Sequence, residues 1–168
     1  MGTDVYLTWK GMTHSDKEKQ CTGFSIAAGH AGYLRASIGM TTENAVLRAL
    51  FPARFWEMAA EDREKGGLPF DFMSEDNQRL LDTLAVQYLL AVVTGKEVSH
   101  PAHERVEVLH GMVLKALASA GSKGMRIKTS GPLDLASAVT WLNSLCEFYG
   151  LGYSLQEQGR EPRVRIIW

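Results

Sequence analysis

Residues 4–9 read Asp4-Val5-Tyr6-Leu7-Thr8-Trp9, and residues 164–168 read Val164-Arg165-Ile166-Ile167-Trp168. In the first stretch Val5, Leu7 and Trp9 alternate with Asp4, Tyr6 and Thr8, a period of two in residues that favour extended backbone. In the second, Val164, Ile166 and Trp168 alternate with Arg165 and Ile167. Each stretch reads as a half-buried strand, one near either end of the chain. A two-stranded ribbon is rarely stable alone, so both strands are expected in one small sheet. The sequence between them has mainly the periodicity of helices. The expected fold class is therefore α+β, with about five helices around a central helix and a small sheet joining the N- and C-terminal strands.

Moving inward from the first strand, Gly11 ends it and Thr13 is placed to cap a short polar helix through Lys19. Residues 23–40 fit two readings. Phe24, Ile26 and Ala28 alternate as in a strand, whereas Leu34 and Ile38 are spaced as in a helix, with a turn over Gly29–Gly32 in either case. From Thr42 the pattern is helical, with Val46, Leu47, Leu50 and Phe51 as its stripe and Pro52 as its end. A second helix is expected from Ala53 to Lys65, stopped by Gly66 and Gly67, followed by an apolar loop from Leu68 to Met73. Ser74 caps a long helix to Thr94 that buries Leu80, Leu81, Leu84 and Tyr88; this is the expected central helix.

Pro101 opens the next helix, carrying Val106, Leu109, Val113 and Leu117 to Gly121, and Met125–Lys128 is a short strand candidate. Gly131 and Pro132 open a helix to Tyr149 with one stripe through Leu135, Val139, Leu142 and Cys146 and another through Ala138, Trp141, Leu145 and Phe148. Gly150 is read as its stop and Tyr153–Gln156 as a further strand.

Composition sets the outer limits. The 168 residues are 45% hydrophobic and 22% charged, which fits a single globular domain over 1–168 and excludes a disordered tail, a collagen-like fibre and a coiled coil. Eighteen basic residues against nineteen acidic ones leave a net charge of −1, so neither nucleic acid nor an anionic membrane is an expected partner. The N-terminal residues lack the basic and apolar regions of a signal peptide, and the apolar run Leu84–Val93 is too short to span a bilayer. Cys21 and Cys146 form no Cys-x-x-Cys pair and read as free thiols of a reducing cytoplasm.

The residues Asp4-Val5-Tyr6-Leu7-Thr8-Trp9-Lys10-Gly11-Met12-Thr13, with Thr22-Gly23-Phe24-Ser25 and Gly32-Tyr33-Leu34-Arg35 after them, resemble a group of uncharacterised bacterial proteins with no known activity. The likeness covers about the first forty residues and implies a bacterial origin.

Two constellations carry possible chemistry. In Gly29-His30-Ala31-Gly32-Tyr33-Leu34-Arg35 the glycines let backbone amides turn inward, and the Arg35 guanidinium can grip an anion in bidentate fashion. Trp9, His14, His30, Tyr33 and Arg35 are thus the candidate ligand-binding residues. The stretch lacks a P-loop lysine and the full spacing of a dinucleotide fingerprint, so it equally describes a tight structural turn. On the helix after Pro101, His103, Glu107 and His110 fall within about 60° of one another, a candidate metal face without a fourth ligand and more simply a solvated polar face. No resident metal or cofactor is expected.

No Gly-x-Ser-x-Gly elbow or paired nucleophile and base is legible. The sequence therefore favours a non-enzymatic interaction or small-ligand-binding protein, whose partner is an anionic small molecule or another protein. The alternative is a small enzyme acting on a phosphorylated or other anionic substrate through His30, Tyr33 and Arg35. The shared sheet has a direct consequence: deleting Val164–Trp168 is expected to abolish cooperative unfolding. A truncated chain that melts as sharply and as hot as the parent would exclude this topology.

Overall fold

A computed structural model of the chain describes residues 2–21, 32–37, 41–94 and 135–168. The alternation at Phe24–Ala28, His30, the helix after Pro101 with His103, Glu107 and His110, and the strand candidate Met125–Lys128 lie outside the described residues.

In chain order the described elements are β1 (Gly2–Thr8), α1 (His14–Cys21), β2 (Tyr33–Ser37), α2 (Thr41–Leu50), α3 (Ala53–Trp56), α4 (Ala60–Glu64), β3 (Leu68–Pro69), α5 (Glu75–Thr94), α6 (Leu135–Glu157) and β4 (Arg163–Ile167). The strands form one antiparallel sheet in the order β2-β1-β4-β3. The fold is α+β, and the N- and C-terminal strands are neighbours in its sheet. Val5 stands opposite both Leu34 and Ile166, and Leu7 opposite Val164. All five of these pairing residues are buried, together with Ala36. They form the sheet's inner face, against which the helices pack. Helix α5 lies against both α2 and α6, and α6 also reaches β2.

Local chemistry fixes the helix starts. The Thr13 amide donates to Asp16 Oδ2 at 2.9 Å and the Asp16 amide to Thr13 Oγ1 at 3.2 Å, a reciprocal cap for α1. The Asn77 amide donates to Ser74 Oγ at 3.3 Å at the start of α5.

Four expectations are corrected. The helix expected over Ala53–Lys65 is split into α3 and α4. On a continuous helix Trp56 and Met58 would stand about 200° apart, yet both are buried. The extended backbone at Ala59 allows this, and the Trp56 indole N–H is anchored on the Phe51 carbonyl at 3.0 Å. The apolar loop beginning at Leu68 starts instead as β3, with Pro69 on an edge strand where no ladder donor is needed.

Gly150 does not stop α6, and Tyr153–Gln156 is helical. Phe148, Gly152 and Leu155 share one helical stripe, and a Cβ on Gly152 would run into the Phe72 ring. That glycine permits close packing rather than ending the helix. The stop comes at Gly159, with φ +70°, where the Arg160 amide donates to Leu155 O at 2.9 Å. Finally, α6 buries the stripe of Ala138, Trp141, Leu145 and Phe148, which leaves Val139 and Cys146 exposed. Cys146 is a free thiol, and its pKa is raised by partial burial and by the negative Asp82 and Glu147. Of residues 23–40, which fit two readings, Tyr33–Ser37 form a strand that includes Leu34, and Ile38 lies outside the described residues.

One buried acid ties the helices together. Glu43 of α2 is 1% exposed and accepts the Tyr88 hydroxyl of α5, while the Tyr88 ring packs on Trp141 of α6 at 5.0 Å. Burial raises the Glu43 pKa, opposed by that hydrogen bond. The folded state therefore keeps a proton that the unfolded chain releases. The Glu43 contribution to stability is therefore fully present below the ordinary carboxyl value of 4.5 and is lost as pH rises through the elevated one. Glu43→Gln retains an acceptor for Tyr88 without the charge. It is expected to melt a few degrees higher at neutral pH and to lose less stability than wild type between about pH 4 and neutrality. Parallel stability profiles in chemical denaturation would show that Glu43 does not carry this dependence.

Candidate functional site

The outer face of the sheet carries the polar partners of the buried stripe. The Leu7 amide donates to Gly32 O at 2.7 Å. By alternation, Asp4 and Arg35, and likewise Tyr6 and Tyr33, face each other as non-hydrogen-bonded pairs, where side chains approach most closely. Arg35 Nε lies 3.4 Å from Asp4 Oδ1, and the Tyr33 hydroxyl donates to the same oxygen at 3.0 Å. The Tyr6 and Tyr33 rings are 5.0 Å apart, and the Arg165 guanidinium sits 5.2 Å above Tyr6. Burial, and then the Asp4 carboxylate, raise the Tyr33 pKa, so its hydroxyl stays protonated as a donor.

Of the five candidate ligand-binding residues, Tyr33 and Arg35 are thus brought together, but both turn to Asp4. His14 is exposed on α1 and faces Glu18 at 3.2 Å. Trp9 follows β1 and packs beside Gly32, whose φ is +85°; a Cβ there would stand 3.2 Å from the Trp9 ring and from Leu7. His30 lies outside the described residues.

A second constellation surrounds Trp9. Beyond the end of β1 lies a cleft of about 400 Å³, walled by Trp9–Met12, Lys17, the turn Glu64–Gly66, and Glu161 and Arg163. Three contacts shape it. Arg160 pins the first wall, donating from Nε to Lys10 O at 3.3 Å and from Nη2 to Gly11 O at 3.2 Å. The Thr8 hydroxyl donates to Gly66 O at 2.8 Å, and Arg163 Nε donates to Gly67 O at 2.9 Å. Gly66 and Gly67 have φ of +87° and +112°, and a Cβ on either would strike Thr8 or the β4 backbone. Only glycine lets this turn cross so close to the sheet.

The cleft holds four cations, Lys10, Lys17, Lys65 and Arg163, against the carboxylates Glu64 and Glu161. Lys10 and Glu161 pair at 3.6 Å. Among the described residues, the ammonium groups of Lys17 and Lys65 and the terminal nitrogens of Arg163 have no partner. The Trp9 indole N–H is enclosed and has no acceptor among the described residues. Glu161, with φ +50°, is the sole described non-glycine residue in the left-handed region. Backbone strain of this kind tends to collect at ligand sites.

Sequence reasoning reached Trp9 but missed Lys17, Lys65 and Arg163 as cleft residues. Thr8 and Arg163 meet only through the β1–β4 register, and no local pattern near Arg163 announces that. Among the described residues no three His, Cys, Asp or Glu side chains converge as a metal site, and no helix is long and apolar enough to cross a membrane. Comparison with protein-family models, curated proteins and solved structures finds no match.

Two substitutions separate structure from ligand chemistry at the notable turn. Gly32→Ala is expected to destabilise the fold by about 1 kcal/mol or more, because a left-handed backbone and close neighbours both oppose a Cβ. Arg35→Ala is expected to cost roughly 0.5–1 kcal/mol, and a double-mutant cycle with Asp4→Asn should assign most of that loss to their pairing. Additive costs in the cycle would deny that pairing.

Proposed function

We propose that this chain is a non-enzymatic bacterial protein of the cytoplasm that binds a small anionic ligand in the cleft beside Trp9. The observation that carries this reading is the surplus of cationic groups around one concave site, Lys17, Lys65 and the outer end of Arg163, which have no partner among the described residues. A phosphate or carboxylate satisfies them together, since it accepts from the planar guanidinium and from ammonium groups at once. Among its described lining residues cations outnumber carboxylates four to two, a balance suited to holding an anion. The likeness of residues 4–35 to bacterial proteins supports the origin, and the free Cys146 thiol is in keeping with a reducing compartment.

The alternative, an enzyme acting on an anionic substrate through His30, Tyr33 and Arg35, has less support. The polar ends of Tyr33 and Arg35 both engage Asp4, which would have to be displaced or bypassed by a substrate anion. Calorimetric titration with pyrophosphate distinguishes the two. The double variant Lys17→Ala/Lys65→Ala is expected to weaken binding about tenfold, consistent with loss of one or two charge-assisted contacts. Added salt should weaken it further, while Arg35→Ala leaves it unchanged. Binding lost in Arg35→Ala but retained in the double variant would transfer the site to the outer sheet face.

A further inference from the structure

The basic cleft has an immediate neighbour. A second cavity of about 440 Å³ is bounded by Arg54, Pro69, Phe70 and Pro162, and it shares Glu161 and Arg163 with the first. The sheet register explains this adjacency. Thr8 pairs with Arg163, and Arg163 with Pro69, so the three residues form one row across the outer face. Arg163 stands between the two cavities, with neighbouring strands about 4.8 Å away on either side. Its Nε is fixed on the Gly67 carbonyl, which holds the guanidinium plane in place while its outer nitrogens remain available.

The two compartments differ in chemistry. The first presents ammonium groups. The second presents two proline rings, the buried Phe70 and the planar guanidinium of Arg54, which already lies 5.2 Å from the Phe55 ring. Proline rings and guanidinium planes make good surfaces for a flat aromatic group, through apolar contact and cation–π attraction. A bare inorganic anion would use only half of this arrangement.

We propose that the ligand is an aromatic anion, its phosphate or carboxylate head held beside Arg163 by Lys17 and Lys65 and its ring lying between Pro69 and Pro162. This rests on the reading of the basic cleft as an anion site and adds the class of molecule it takes. Arg163 serves both halves, donating to the head from its outer nitrogens and bordering the ring with its plane. Glu161, strained and paired with Lys10, forms the end wall common to both compartments.

The test compares inorganic phosphate, 1-naphthyl phosphate and 1-naphthol by calorimetry on the full chain. 1-Naphthyl phosphate is expected to bind wild type at least about tenfold tighter than inorganic phosphate, the gain coming from burial of the ring. Pro69→Asp places a carboxylate in the aromatic compartment beside Arg163 and should weaken both anions, 1-naphthyl phosphate more than inorganic phosphate, so that the gain from the ring is lost. Lys17→Ala/Lys65→Ala should weaken both anions in proportion. If Pro69→Asp does not fold, nuclear Overhauser contacts from naphthyl protons to the Pro69 and Pro162 rings in wild type decide the same point, and their absence counts against the proposal.

Equal affinity for the two phosphates overturns the aromatic inference and leaves the anion reading intact. Naphthol binding as tightly as its phosphate, with no effect of the lysine substitutions, overturns the anion reading itself. Absence of binding by all three probes overturns both.

Discussion

The pairing of β1 with β4 is the constraint on which the rest of the molecule depends. It brings residues 4–8 against residues 163–167, nearly the full length of the chain apart. The loop-closure entropy of such a contact must be offset by what the contact buries. Val5, Leu7, Val164 and Ile166 are each 0–1% exposed, and each contributes roughly 1.5–3 kcal/mol by leaving water. Because side chains alternate along a strand, the same register that buries these four fixes the row Thr8–Arg163–Pro69 on the opposite face. The core and the cleft are therefore two sides of one register. A slip by one residue would expose the core and dismantle the cationic site together.

Polar groups complete the joins that apolar packing leaves open. The Trp141 indole N–H donates to Arg35 O at 2.9 Å, meeting a carbonyl of β2 that is not paired with β1. The Trp168 indole N–H donates to Trp56 O at 3.1 Å, fastening the residue after β4 to α3 although its ring is largely exposed. Gln156 links α6 to the segment before α5, accepting from the Phe72 amide at 2.7 Å and donating to Asp71 Oδ1 at 2.7 Å. Each contact satisfies a backbone or side-chain group that secondary structure does not. Together they set where the helices sit over the sheet.

The proposed site uses a different economy from the core. Its walls are turns, at Trp9–Met12, Glu64–Gly67 and Glu161–Pro162; the Arg160 guanidinium holds the first, and the Thr8 hydroxyl and Arg163 guanidinium tie the second to the sheet. Turns held in this way present side chains outward with little apolar area of their own. The Asp4–Tyr33–Arg35 group has the opposite character. Its charges meet one another, and Tyr33 is 7% exposed, so it stabilises a strand pair more readily than it receives a ligand.

The sequence by itself determined the fold class, the two terminal strands, the caps at Thr13 and Ser74, and the buried stripe of α2, because each depends on residues within a few positions of one another. It also marked Gly32 as a turn, which its φ of +85° bears out. Tertiary structure decided the rest. Whether the helix stops at Gly150 or runs on so that Gly152 meets Phe72 depends on a residue eighty positions away. Whether residues 53–65 make one helix or two depends on a core that takes both Trp56 and Met58. The cationic cleft was illegible for the same reason: Lys17, Lys65 and Arg163 are separated in sequence and converge only because strand register and two glycine turns place them there. Local pattern reports on backbone preference and on which face is apolar, whereas convergence of charge from distant segments is a property of the closed chain.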